Sequence, residues 1–251
     1  MVYYIVYKAS KDYKNRSLIP ARLRALGCRQ INRTFWEFEK EKTPKVLELL
    51  KKNRPLVLKR IKRVKKRLIE HGRVQDLGSL IVVTFKASKE KREKIRSLVR
   101  RTPCVRLCRL VYAFYQRHSQ FDPENKLVDA QGLATLIREL DGEVKLISKI
   151  VVLNERSVQR LVDETRQHME KEILDITLKC KQIHDKCIGN ECDHRKLREV
   201  LRKLRSQYVK IKRKALFYNA WMALDLSRDL MKVYKALLRL RHYSLREKVV
   251  A

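Results

Sequence analysis

The sequence predicts an α+β fold in which two similar segments build sheets and the C-terminal part is helical. A strand-like segment that begins at Tyr3 recurs 78 positions later, at Ile81. From about Asn154 to the end, apolar residues recur at helical intervals. With 44% hydrophobic residues, six glycines and five prolines among 251 residues, the chain has ample material for a core and little for long loops.

The N-terminal part of the chain contains an internal repeat. Residues 3–11 are echoed by residues 81–89, and each copy continues through a basic, apolar-periodic stretch to Cys28 or Cys104, 76 positions apart. Because order, spacing and residue character agree over about 35 positions, we interpret the two segments as a duplication. The expected divisions of the chain are residues 1–75, 76–154 and 155–251.

Each copy is expected to run strand, helix, strand, helix, strand. In the first copy, the pattern predicts a helix over residues 16–26 that stops at Gly27. Thr43 and Pro44 predict the cap and the first-turn proline of a second helix that continues to about Asn53.

In the second copy, Ser88 and Asp129 are expected to cap two helices. Gly142 is expected to close the second of them, before a final strand over residues 144–153. Helices that lie on one face of a small antiparallel sheet form the ferredoxin-like pattern. The predicted fold is therefore α+β, with two tandem ferredoxin-like repeats followed by a C-terminal helical hairpin or bundle.

Alternation along the first strand of each copy predicts which face of the sheet the helices cover. The face expected under the helices carries only apolar residues, which are Tyr3, Ile5 and Tyr7 and, at the corresponding positions, Ile81, Val83 and Phe85. The opposite face includes Lys8, Thr84 and Lys86. We expect this mixed face either to pack one sheet on the other or to meet a polar ligand, and we favour packing.

The C-terminal part is predicted to form a helical hairpin and a last helix. Apolar residues recur over residues 158–187, residues 188–190 form a turn, and a second apolar stripe covers residues 197–211. The last helix is expected over residues 216–240. Its aromatic stripe, which includes Tyr234, is expected to be core rather than a platform on which bases stack.

The charge of the chain points to a polyanionic partner. Sixty-one Lys and Arg against 28 Asp and Glu leave a formal charge of +33, which would weaken a compact fold by self-repulsion. Residues 1–120 carry 33 basic and 9 acidic side chains, residues 121–180 carry 9 and 12, and residues 181–251 carry 19 and 7. We expect nucleic acid as the partner, with no membrane, and a binding side formed by the basic lobes.

The densest basic run covers residues 59–67. Ile61, Val64 and Leu68 recur at three- and four-residue steps, so the run is expected to form a basic helix or a basic strand end that follows phosphates. No base-reading signature accompanies it, so phosphate contact is predicted and sequence specificity is not. The candidate nucleic-acid-binding residues are Lys8, Lys11, Lys59, Arg60, Lys62, Arg63, Lys65, Lys66, Arg67, Lys86 and Lys89.

A cysteine and histidine cluster lies at the expected helical hairpin. Cys180, His184 and Cys187 share one helix face, and Cys192 and His194 follow the turn. These side chains could supply a structural zinc site. Buried thiols or a disulfide across the hairpin are the alternatives.

Other features of the sequence argue against catalysis and against secretion. The remaining cysteines, Cys28, Cys104 and Cys108, are expected to pack as small apolar residues. No phosphate-cradling glycine loop, nucleophile elbow or histidine-rich metal triad occurs, so we do not expect an enzyme. Scattered cysteines and the lack of a long apolar run lead us to expect a cytoplasmic protein.

Residues 86–234 contain segments that resemble the amino-terminal domain of the chromate-resistance regulator family (type B). The segments that carry the likeness are residues 110–114, 132–143 and 208–217. Ala215 stands where that family tends to have an acid before its paired aromatics. The resemblance implies a DNA-associated regulator, and chromate sensing is not carried over.

The first repeat also resembles the small ferredoxin-like nuclease and integration subunits of CRISPR systems. Those nucleases place an acidic residue at the end of the first strand, where it holds a metal ion. The corresponding residues in this chain are Lys8 and Lys86, whose ammonium groups cannot ligate magnesium. Nuclease activity of that type is therefore not expected.

We expect a non-catalytic DNA-binding protein, with a regulatory role, that binds mainly through phosphate contacts. The first alternative is an RNA-binding component of a ribonucleoprotein assembly. The second is a divergent metal-dependent nuclease that uses Asp12, Asp122 and Asp129 as metal ligands.

Overall fold

The structure is a computed structural model that describes residues 2–8, 17–100, 102–116, 128–189 and 194–245. The chain divides into two compact units, Met1–Leu161 and Val162–Ala251. A large antiparallel sheet with helices forms the first unit, and helices form the second. These features confirm the α+β class.

Strands are confined to the first unit among the described residues. They are β1 (Val2–Val6), β2 (Arg29–Asn32), β3 (Phe35–Glu39), β4 (Leu56–Arg60), β5 (Leu68–Glu70), β6 (Arg73–Asp76), β7 (Leu80–Lys86), β8 (Val105–Cys108), β9 (Val111–Tyr115) and β10 (Glu143–Val152). The helices are α1 (Ile19–Ala25), α2 (Thr43–Leu50), α3 (Lys89–Arg100), α4 (Ala130–Glu139), α5 (Glu155–Ile188), α6 (His194–Met222) and α7 (Ser227–Leu245).

Eight of the strands form one sheet in the order β2-β3-β1-β4-β10-β7-β9-β8, and β5 and β6 form a separate hairpin. Each half of the large sheet follows the chain order strand, helix, strand, strand, helix, strand. The expected five-element order is therefore wrong, because a turn at residues 33–34 divides one expected strand into β2 and β3. The halves join where β4 and β10 pair antiparallel.

One face of the sheet packs under the helices, as the alternation of the first strands predicts. In the first half, Tyr3, Ile5 and Tyr7 share a buried cluster with residues of α1 and α2. In the second half, Val83 and Phe85 share a buried cluster with residues of α3 and α4. The predicted assignment of this face is confirmed.

The opposite face is closed because the sheet folds back on itself. In a flat sheet, five strand spacings of about 4.8 Å would place β2 about 24 Å from β7. Instead, Asn32 Nδ2 of β2 donates a hydrogen bond to Thr84 Oγ1 of β7 at 2.9 Å. Tyr4, Val6 and Thr84 are at most 4% exposed. The two half-sheets therefore pack on each other, which confirms the favoured alternative.

The helix ends in the first unit follow the predicted signals in most places. The Asp129 carboxylate caps α4 by accepting the Gly132 N–H at 2.7 Å, and Ser88 Oγ accepts the Lys91 N–H at a long 3.4 Å. Gly27 has a φ of +71° two residues after the end of α1. Thr43 is not a cap, because it lies inside α2 and its hydroxyl donates to the Lys40 carbonyl.

The second unit contains α5 from Val162 onward, α6, which forms a hairpin with it, and the last helix, α7. The last helix begins at Ser227 rather than near residue 216, because α6 continues to Met222. Ala223 then adopts a φ of +51°, and the Asp225 carboxylate accepts the Ser227 N–H at 2.9 Å. The left-handed backbone of Ala223 ends α6, and the Asp225 side chain caps the start of α7. The apolar stripe in the sequence continues across this break and does not reveal it.

A buried ion pair joins α5 and α6 within the second unit. Lys214 Nζ lies 2.8 Å from both carboxylate oxygens of Glu172, and the Lys214 side chain is only 4% exposed. His168 Nε2 lies 3.2 Å from Glu172. Burial alone would raise the pKa of Glu172, but the hydrogen bond from His168 and the charge of Lys214 outweigh it, so the pKa lies below its ordinary value.

None of the helices in the described part of the chain is both long enough and apolar enough to cross a membrane.

The Glu172→Gln variant should be strongly destabilised. It removes the carboxylate that balances the Lys214 charge in a buried position, and such losses cost about 3 kcal/mol or more. Urea unfolding followed by circular dichroism measures the difference. Glu199→Gln is the matched control, because Glu199 pairs with Lys203 on the exposed surface of α6 and its loss should leave the midpoint nearly unchanged.

The pH dependence of unfolding should report the same pair. Because the folded pKa of Glu172 is lowered, the contribution is fully present above the ordinary value of 4.5 and disappears as the pH falls through the folded value. The stability difference between the wild-type chain and Glu172→Gln should therefore shrink in acid. A difference that stays constant between pH 6 and pH 3 would contradict this assignment.

Candidate nucleic-acid interface

The densest basic run forms a loop, which we call the basic loop, at residues 61–67. Strand β4 ends at Arg60, and the next regular element is β5. The helix that Ile61, Val64 and Leu68 predict is therefore wrong, and the alternative of a basic strand end describes Lys59 and Arg60. Five of the seven residues of the basic loop are Lys or Arg.

Long-range hydrogen bonds hold the basic loop at its first residue, Ile61, and at Lys65. The Ile61 N–H donates to the Lys149 carbonyl at 2.9 Å, and the Lys149 N–H donates to Gln116 Oε1 at 2.8 Å. The Gln116 N–H donates to the Ser79 carbonyl at 2.8 Å. The Ser79 N–H donates to the Lys65 carbonyl at 2.9 Å, and the Lys65 N–H returns a bond to Ser79 Oγ at 2.7 Å. These bonds replace the helical hydrogen bonds that the spacing of apolar residues suggested.

The position of Lys149 comes from an irregularity in β10. The register with β7 shifts between Ile147 and Ile150, and Lys149 adopts a φ of +58°. Such a bulge bends a strand and turns backbone groups out of the ladder. The backbone groups of Lys149 are therefore not used in the ladder with β7. Its carbonyl accepts a hydrogen bond from the Ile61 N–H, and its N–H donates to the Gln116 side chain.

Glycine is required where the hairpin returns to the sheet and meets the basic loop. Gly78 has a φ of +74°, and a Cβ at this position would lie 2.8 Å from the backbone nitrogen of Arg67 and 3.0 Å from the Lys65 carbonyl oxygen. The Asp76 carboxylate accepts the Gly78 N–H at 2.8 Å. The backbone of the loop therefore rests directly on Gly78.

The hairpin itself is tied to the start of α5. Gln159 Nε2 donates to the Val74 carbonyl of β6, and Val74 is 2% exposed. Its turn is formed by His71 and Gly72, both at positive φ, which suits a two-residue hairpin turn. The basic loop and the hairpin thus form one supported surface of the first unit.

Most cations of the basic loop are available to a ligand. Lys62, Arg63, Lys66 and Arg67 are exposed, and none of them pairs with a carboxylate of the described residues. Lys65 is different, because its ammonium group is bonded to the Asp76 carboxylate. The free cations therefore lie on both sides of one neutralised lysine.

The two predicted cations at the end of β4 lie on opposite faces of the strand. Lys59 is half-buried on the face that the helices cover, with Nζ 6.0 Å from the ring centre of Tyr3. Arg60 is exposed on the other face, where its charge opposes the rise that burial and the Glu37 carboxylate produce in the pKa of Tyr4. Arg60 continues the basic loop, and Lys59 does not.

Lys8 and Lys86 are not brought to the basic loop. Lys8 follows the end of β1 that pairs with Leu56, whereas the loop follows the opposite end of β4. Lys8 lies near Cys108, where burial raises the pKa of the thiol to about 11 and the Lys8 charge opposes the rise. Lys86 ends β7 and pairs with Glu143 at 3.2 Å. Each is exposed, but neither adds to the loop.

Two further candidates have no described side chain. Lys11 lies outside the described residues. Lys89 is placed only as the first residue of α3.

The described residues do not assemble a metal site. Cys180 and Cys187 are buried in α5, and the His184 ring packs edge-on against Tyr243 with 5.2 Å between ring centres. No group of three or more His, Cys, Asp and Glu side chains in the described ranges is arranged to hold a metal ion. Cys192 lies outside those ranges, so a four-ligand zinc site at Cys180, His184, Cys187 and Cys192 stays a prediction.

The remaining cysteines and the candidate nuclease acids have simple placements. Cys28 and Cys108 are buried, as predicted, and Cys104 is half-buried. Asp129 caps α4, so its carboxylate is engaged with a backbone amide. Asp12 and Asp122 lie outside the described residues.

Sequence reasoning missed the residues that support the basic loop. Gln116, Lys149 and Ser79 act through backbone groups and short polar contacts between segments far apart in the chain. Only Gly78 carried a signal, since a glycine between two strands often marks a positive φ or a close approach.

No family model, curated protein or solved structure matches the chain.

The Gly78→Ala variant should destabilise the first unit by about 3 kcal/mol, because it combines left-handed backbone strain with overlap against the basic loop. Gly72→Ala is the matched control. Gly72 has nearly the same φ of +73° but no atom within 4 Å of an added Cβ, so only the strain of about 1 kcal/mol should remain. Thermal unfolding of both variants measures the difference, and equal losses would contradict the close approach.

Proposed function

We propose that this chain is a non-catalytic nucleic-acid-binding protein, a DNA-associated regulator that binds mainly through phosphate contacts at the basic loop. The observation that carries the proposal is that the basic loop has exposed cations on a backbone that hydrogen bonds hold in place. Lys62, Arg63, Lys66 and Arg67 are exposed and unpaired within the described residues, on a loop that is bonded at Ile61 to β10 and at Lys65 to Ser79, the residue before β7.

Support matters because a mobile lysine-rich segment must be ordered when it binds. A loop held by three hydrogen bonds, whose partners are themselves bonded through Gln116, has already lost part of its backbone freedom, so less of the binding energy is spent on ordering. Each phosphate that the loop neutralises also releases condensed counterions, which favours binding at low salt. A surface made only for solubility would not need such anchoring.

We also propose that the two halves of the large sheet are tandem ferredoxin-like repeats. Both halves have the order strand, helix, strand, strand, helix, strand. The strand orders β2-β3-β1-β4 and β8-β9-β7-β10 are equivalent when the halves are superposed in chain order. The ferredoxin-like motif has the same order of elements, which supports this proposal.

The regulatory role is proposed from the likeness of residues 110–114, 132–143 and 208–217 to chromate-resistance regulators.

An RNA-binding role in a ribonucleoprotein assembly is the competing account, since the same phosphate contacts suit either polymer. Titration of the full chain with DNA and RNA duplexes of equal length and sequence separates them. A tighter complex with RNA at every salt concentration would overturn the DNA assignment.

Replacement of the four exposed loop cations, as Lys62→Gln, Arg63→Gln, Lys66→Gln and Arg67→Gln together, should weaken duplex binding at all sequences. The affinity should also depend less steeply on salt. For each phosphate that the variant no longer neutralises, the magnitude of the negative slope of log affinity against log salt should decrease by roughly 0.9. Fluorescence anisotropy with a labelled duplex at several salt concentrations measures both quantities.

A second quadruple variant provides the matched control for charge. Arg22, Lys40, Lys45 and Lys52 are exposed in the first unit, on or beside α1 and α2. Their replacement by Gln removes the same formal charge and should leave most of the salt slope. If both variants reduce the slope equally, binding depends on net charge and the loop is not the interface.

A further inference from the structure

Two tyrosines meet at the surface of the second unit. Tyr208 of α6 and Tyr234 of α7 have ring centres 6.2 Å apart and planes inclined by 30°. Tyr234 is 45% exposed, and Tyr208 is half-buried. The expectation that the aromatic stripe is core is right for Trp221, which is 1% exposed, and wrong for Tyr234.

The exposed tyrosine belongs to a larger apolar strip on α7. Met231 lies three residues before Tyr234 and Leu238 lies four residues after it, so the three side chains share one side of the helix. Met231 is 52% exposed and Leu238 is 40% exposed. We call Tyr208, Met231, Tyr234 and Leu238 the tyrosine strip.

The helices that carry the tyrosine strip are strongly basic. Helix α6 contains ten Lys and Arg against one acid, and α7 contains five against one. Helix α5 of the same hairpin contains seven of each. The positive charge of the C-terminal part is therefore concentrated on the helices that carry the tyrosine strip.

Several of these cations lie next to the tyrosine strip. Arg205 and Lys212 are three residues before and four residues after Tyr208, one helical turn away on either side. Lys235 is one turn beyond Met231, and Arg241 is one turn beyond Leu238. All four cations are exposed, and none pairs with a carboxylate in the ranges that the structure describes.

We propose that the tyrosine strip binds unpaired bases of a single-stranded nucleic acid, with a base stacked on Tyr234 and the neighbouring phosphates on Arg205, Lys212, Lys235 and Arg241. Aromatic rings set among cations are the recurring means of holding single strands without sequence preference. Phosphate binding alone would account for the cations but not for the exposed ring of Tyr234 among them.

This surface should prefer single strands, because Tyr234 can stack only on a base whose ring face is accessible. In a duplex the faces of the bases are stacked on one another, so Tyr234 cannot reach them without unstacking. In a single strand the faces are accessible. The basic loop contacts phosphates in either form, so the second unit would supply the preference between them. The inference rests on the proposed nucleic-acid partner.

The experiment compares two oligomers of the same length and phosphate count, an oligothymidine and an abasic oligomer, each binding to the full chain. The wild-type chain should bind oligothymidine at least about fivefold more tightly, since one stacked base is worth that factor or more. Tyr234→Leu should lose this preference, whereas Tyr234→Phe, which keeps the ring, should retain it. Circular dichroism and thermal unfolding check that both variants remain folded.

Equal affinity of the wild-type chain for the two oligomers would overturn the inference. So would a Tyr234→Leu variant that keeps the full preference for oligothymidine. Neither result bears on the basic loop, because the four-cation loop variant is measured on a duplex. Loss of duplex binding in that variant together with no preference for bases would leave the loop as the interface and remove the tyrosine strip.

Discussion

The bulge in β10 is the constraint on which the first unit depends. With Lys149 in the left-handed region, the register of β10 against β7 shifts, and Ile150 then pairs with Leu80 of β7 on one side and Arg60 of β4 on the other, so one strand serves both half-sheets. The same bulge directs the Lys149 carbonyl to Ile61. The backbone carbonyl that leaves the β7 ladder at the bulge thus anchors the first residue of the basic loop, next to the pairing of β4 and β10 that joins the two half-sheets.

The two units oppose the repulsion between their cations in different ways. In the first, buried side chains on both faces of the sheet oppose the repulsion among exposed cations, which stay at the periphery. In the second, one lysine is taken into the interior, where Glu172 balances its charge. A polyanion that neutralised the outer cations would relieve the repulsion and stabilise the folded chain by mass action.

Local patterns in the sequence predicted those features that local physics decides. Alternation placed Tyr3, Ile5 and Tyr7 under the helices, and Asp129 was identified as a cap from its position alone. The spacing of Ile61, Val64 and Leu68 is helical, yet hydrogen bonds from Lys149 and Ser79 decide otherwise. The exposure of Tyr234 could not be predicted either. The periodic spacing of apolar residues shows which side of a helix is apolar, but it does not show which of those residues another helix covers.

The hydrogen bond between Asn32 and Thr84 makes the two halves of the sheet unequal partners. By the offsets of the repeat, the positions equivalent to Thr84 and Asn32 in the other half are Val6 and Cys108. A protein made from two copies of the first half would set the amide of Asn32 against a valine, and two copies of the second would set a thiol against Thr84. At this contact the two halves are therefore complementary rather than identical.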